Sequence, residues 1–182
     1  MTKTTPWGFP SGRVAETLRK ILAPDLTDNE VEAIVVCLFS HLLLESSINN
    51  LLYRWLSQDA PIPSDDESLL KAKDALWDSI VKMAFAKKYS LVEPYFALYY
   101  REAAKTIWKI NDLRNHLFHR GNIRNAKYDD RPFSEEKTVE KFFHDAQFAA
   151  MDIQKFEELI DSPHALAERW RDRLKALGEP LI

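Results

Sequence analysis

The chain of 182 residues has one cysteine, four glycines, little net charge and no uninterrupted apolar run of bilayer length. Each scarcity excludes something. Cys37 lies among Val35, Val36, Leu38 and Phe39 and reads as a core residue. A single thiol rules out a disulfide framework and a thiolate zinc cluster within one chain. Four glycines and nine prolines leave long stretches without a helix breaker, which favours an all-helical chain. A net charge of −3 does not announce a nucleic-acid protein, so any such role has to come from a local patch. The most apolar segment, Ala33 to Leu44, is broken by His41 and stops at Glu45, short of the roughly 20 residues a span needs. Met1 to Trp7 lacks the apolar run of a secretory signal. The expectation is one soluble, cytoplasmic domain over 1–182, without a membrane partner.

What is present reads as helices. The first is expected from Ser11 to Leu22, stopped by Pro24. Thr27 and Glu30 form a capping box that opens a second helix to about Leu56. Pro61-Ile62-Pro63 is a turn, and Ser64 with Glu67 makes another capping box for a helix through about Ala86. Glu93-Pro94 is expected to start the next helix, which Gly121 ends as a C-terminal cap residue. Residues 122–133 read as a loop. Ser134, Glu135 and Glu136 open a helix to about Ile160, and Pro163 begins a last one to about Leu177. Long helices on short connections give the fold class: all-α, an antiparallel bundle of five to six helices.

Polar residues interrupt two apolar stripes. In the second helix, His41, Glu45 and Asn49 fall on the side that carries Ile34, Leu38, Ile48 and Leu52. Further on, Phe96, Ala103, Ile107, Ile110 and Phe118 define one face, and Arg114 falls among them. A charge on such a stripe is expensive unless it is paired or reached by solvent, and Glu45 and Arg114 are natural partners across two packed helices. Asn111, Asn115 and His119 continue as a neighbouring polar strip. This cluster can be a buried salt bridge, a dimer seam or an active site.

Arg114-Asn115-His116-Leu117-Phe118-His119-Arg120-Gly121 is where chemistry concentrates. Histidine moves a proton near neutral pH, and arginine offers a fork of donors to a phosphate. From Leu113 through Tyr128 there is no acidic residue, while Arg114, Arg120, Arg124 and Lys127 all lie there. His116, Arg120, Arg124 and Lys127 are therefore the candidate RNA contacts. The helix end favours a cationic imidazole at His119. Asp112, His116 and His119 offer ligand spacing on one helix, but no second cluster completes a metal site, so neither metal nor cofactor is expected.

With these residues in place, the chain resembles the HEPN superfamily, whose hallmark is an arginine, four to six residues and a histidine near the end of a helix. Arg114 and His119 carry that pattern, and Asn115 fits the polar residue after the arginine. The similarity covers about 27–162. It implies a metal-independent ribonuclease that dimerises so that two motifs share one cleft. His119 would move protons, Arg114 would stabilise charge on the phosphate, Asn115 would orient it and Glu45 would position Arg114. Some members are toxins whose antitoxin modifies a tyrosine two residues past the histidine, where this chain has Gly121. The partners so implied are RNA, a second copy, and an antitoxin or regulatory protein. A more distant similarity, to mannitol-repressor-like regulators, implies instead a catalytically silent module that binds RNA or a protein partner.

Overall fold

The computed structural model describes residues 11–58, 66–120 and 123–160. The architecture is all-α, as expected. Among the described residues it comprises α1 (Ser11–Ile21), α2 (Asp28–Gln58), α3 (Asp66–Lys82), α4 (Phe85–Tyr99), α5 (Arg101–Arg120) and α6 (Glu136–Ile160). A 3-10 turn (Ile123–Asn125) and a two-stranded hairpin, β1 (Lys127–Tyr128) and β2 (Arg131–Pro132), connect α5 to α6. Ser64, Gly121 and the helix expected from Pro163 lie outside the described residues. The chain groups into two compact units, Met1–Glu45 with Glu102–Ala149 and Ser46–Arg101 with Ala150–Ile182.

In the first unit the Thr27 capping box forms as expected. Thr27 N–H and Oγ1 donate to Glu30 Oε2 at 2.8 and 2.9 Å, and Glu30 N–H returns to Thr27 Oγ1 at 3.3 Å. Those contacts satisfy donors that the first turn of α2 cannot satisfy itself. Ala33, Val36, Cys37 and Leu44 of α2, with Ile107 and Ile110 of α5 and Phe142 and Ala146 of α6, are fully buried. The segment expected as a plain loop is partly ordered into the hairpin, registered Lys127 to Pro132 and Tyr128 to Arg131. Its turn residues, Asp129 and Asp130, have φ of 49° and 64°. Two consecutive left-handed residues match the twist of paired strands, and aspartate tolerates that backbone better than most residues. Buried aromatics hold the hairpin down: Tyr128 and Phe133 both meet Phe142 edge-on, at 5.0 and 4.9 Å between ring centres.

The second unit draws on the rest of α2, α3, α4 and the end of α6. Ile48, Leu51, Ile80, Tyr89 and Phe96 are fully buried there, as is Lys88. Trp55 meets Tyr95 edge-on at 4.8 Å, Phe96 meets Phe156 at 5.6 Å, and Arg54 pairs with Glu157 at 2.7 Å. Two boundaries differ from expectation. The helix foreseen through Ala86 stops at Lys82, and a new one begins at Phe85 after Ala84 turns extended. Pro94 does not start the motif helix but lies inside α4. The proline removes one backbone hydrogen bond, yet the buried stripe Phe85, Tyr89, Val92 and Phe96 carries the helix through. Tyr100 then leaves the helical region, and the motif helix starts at Arg101.

α2 also runs well past Leu44, because Leu51 and Leu52 resume the apolar run after Glu45. By length and composition it could cross a membrane, contrary to the expectation drawn from 33–44 alone. Half of its most apolar stretch is buried within the chain.

Candidate functional site

α5 positions the motif. Ala104, Ile107, Ile110, Asn111, Leu113 and Leu117 are buried and define its inner face. At roughly 100° per residue Arg114 falls near the middle of that face, whereas His119 falls about 140° away. His119 is accordingly exposed, and Arg114 is half-buried. The helix stays regular through Arg120, so one chain does not turn both groups towards one point.

The Arg114 guanidinium is held on two sides. Its Nη1 donates to Asn115 Oδ1 at 3.0 Å, and its central carbon stands 5.5 Å from the centre of the Phe118 ring. Arginine and phenylalanine four residues apart stack naturally on a helix, and the ring face attracts the cation. Arg114 Nε is buried and makes no hydrogen bond. Across from it lies Cys37 of α2, whose thiol burial pushes up to about 12 against the opposing pull of the Arg114 charge.

The expected Glu45–Arg114 pair does not form. Glu45 instead faces His41 of its own helix, with Oε2 4.0 Å from Nδ1. Residues four apart on a helix are neighbours, so this contact needs little ordering of long side chains. The polar interruption itself is as foreseen: His41 and Asn49 are buried at 6% and 9% exposure.

His116 faces elsewhere. It lines an open groove of about 550 Å³ with Lys109, Asp112, Lys127, Asp129 and Asp130, and its buried Nε2 makes no hydrogen bond. The groove is of mixed charge rather than basic. Lys109 pairs with Asp129 at 2.8 Å, and Lys141 with the same carboxylate at 2.9 Å. Lys109 first and Lys141 second hold the Asp129 carboxyl below its ordinary range.

One cation of the positive segment, Arg124, is neutralised. Arg124 donates to Asp25 Oδ2 at 2.7 Å and Glu30 Oε1 at 3.2 Å. Asp25 is held below the carboxylate range chiefly by that arginine, and Glu30 chiefly by its hydrogen bond from the Thr27 backbone. Arg124 therefore ties the chain after α5 to the cap of α2. Lys127 is exposed, and the side chain of Arg120 lies outside the described part. Sequence reasoning missed Phe118, Asp25 and the Lys141–Asp145–Tyr128 cluster, in which Tyr128 Oη donates to Asp145 Oδ2 at 2.8 Å. The four-residue spacings of Arg114 with Phe118 and of Lys141 with Asp145 were the available signals; the Arg124–Asp25 and Tyr128–Asp145 contacts join distant segments. Among the described residues no group of three metal-ligating side chains gathers.

The chain matches no family model, no curated protein and no solved structure.

Proposed function

We propose that the chain is a metal-independent endoribonuclease of HEPN type that works as a cytoplasmic homodimer, with an antitoxin or regulatory protein as a further partner. The observation that carries this reading is the state of Arg114. Its guanidinium is half-buried and paired to no carboxylate among the described residues, with an exposed imidazole five residues on. A buried cation without a counter-ion is costly, and a phosphate is the charge that would complete it. In the proposed reaction a base takes the proton of the 2′-OH, whose oxygen attacks the phosphorus. The bond to the 5′ oxygen breaks, and an acid protonates that leaving group. His119 supplies one of these roles, and its counterpart in the second copy supplies the other. Arg114 stabilises the charge that builds on the phosphate oxygens, and Asn115 fixes the direction of the guanidinium. The divergence of Arg114 and His119 on one helix is why two copies are needed. Products are a 2′,3′-cyclic phosphate and a 5′-hydroxyl.

Incubating structured RNA with wild type and His119→Ala in EDTA tests this. Wild type should degrade the RNA, the variant should not, and DNA should survive because it lacks the attacking hydroxyl. Cleavage that requires metal, or equal cleavage of DNA, would falsify the mechanism.

A second reading, a silent module that binds RNA or a protein, is favoured by the neutralisation of Arg124 and the acidic residues in the groove. Retention of RNA without cleavage by a dimeric wild type would select it.

A further inference from the structure

We infer that Phe118 is a positioning residue that sets the Arg114 guanidinium for phosphate, an inference that rests on the ribonuclease reading above. Among the described residues the guanidinium has few other anchors. Asn115 Oδ1 holds Nη1, Nε makes no hydrogen bond, and the ring of Phe118 lies 5.5 Å from the central carbon. An arginine side chain has several freely turning bonds, and a single hydrogen bond leaves the plane of the fork undefined. A ring face one helical turn away removes that freedom, because the cation is attracted to the electron-rich face and packs flat against it.

The ring is half-buried. Phe118 lines a small apolar cleft with Leu117, with Leu22 and Leu26 of the connection between α1 and α2, with Ile34 of α2 and with Ile123 of the 3-10 turn. A ring set among apolar side chains is a steadier support for a charge than one that projects freely into solvent. Among the described residues the arrangement also leaves the guanidinium without a carboxylate, which an acidic anchor would supply. Orientation without neutralisation is what a group awaiting a phosphate requires.

Replacing Phe118 with pentafluorophenylalanine tests the role without disturbing packing, because the shape is kept while the charge distribution of the ring is reversed. Phe118→Leu and Phe118→Tyr complete the series, the first removing the ring and the second restoring it. Wild type, the three variants and Arg114→Ala are compared for kcat and KM on one RNA substrate. The expected result is a fall of about tenfold in kcat for the fluorinated and leucine forms. KM should hold within about twofold, and the tyrosine form should retain activity. An active fluorinated form equal to wild type overturns the positioning role and leaves the ribonuclease reading standing. A wild type that does not cleave overturns both.

Discussion

Two arginines bracket the end of α5, and their surroundings could hardly differ more. Arg124 meets two carboxylates, Asp25 and Glu30, and ties a loop to a helix cap. Arg114 meets an amide oxygen and an aromatic face. Both are the same residue type in the same short segment, yet one is neutralised by the fold and the other is left charged. An arginine that builds structure is given its counter-ion from within the chain. One that lacks such a counter-ion, though half-buried, is available for an external anion.

The largest effect expected from this contrast is on Arg114→Ala. Cleavage should fall by about 10²–10³, with little change in a thermal melt. Among the described residues, removing Arg114 orphans no carboxylate, so the roughly 3–5 kcal/mol penalty of a broken buried pair does not apply. A melt showing a loss of that size would return Arg114 to a structural role. On the other side of the comparison, Phe133→Ala should destabilise the protein by about 3–5 kcal/mol, since its fully buried ring anchors the loop against Phe142. Urea unfolding would measure this, and a cost under about 1 kcal/mol would show the hairpin to be dispensable. Glu30→Ala should come next, at about 1–2 kcal/mol for the lost cap. Its cleavage rate per folded molecule should match wild type, and a large loss would erase the distinction between the two arginines.

Acid provides a gentler probe of the loop. Asp25, Glu30 and Asp129 are all held below their ordinary values, the first two of which are 3.8 and 4.5. Depressed carboxylates stabilise the fold above their unfolded values, and that stability disappears as pH falls through the folded ones. Melting temperature should therefore drop below about pH 4.5, and Arg124→Ala should flatten the slope; an unchanged slope would separate Arg124 from these carboxylates. The smallest effect belongs to Glu32, whose carboxyl burial raises first and the nearby Glu136 charge second. A raised group destabilises the fold once it ionises, so Glu32→Gln should stabilise at pH 7 by less than about 1 kcal/mol. The gain should vanish below the ordinary value of 4.5; a gain that persists in acid would point to packing instead.

The sequence disclosed what is local. Thr27 and Glu30 announce the start of α2 by their spacing, and the apolar stripe of α5 places Arg114 on its inner face before any coordinates are known. It misled where one residue was asked to outvote many. Pro94 looks like a helix start, but four buried side chains override it. The charge count over 113–128 missed the partners of Arg124 for another reason. The acids that neutralise it arrive from Asp25 and Glu30, far away along the chain, and no window over one segment includes them. Glu45 chose the histidine on its own helix over the arginine on another, a preference that apolar patterning does not encode.

Cys37 has a use that follows from its depth. It is the only thiol in the chain, wholly enclosed and kept in the unreactive protonated form. Reagents that modify thiolates should pass the native molecule by and react only when α2 parts from its neighbours. The labelling rate of this one sulfur thus counts openings of the layer against which Arg114 rests, and a phosphate-bearing ligand that closes over Arg114 should slow the count.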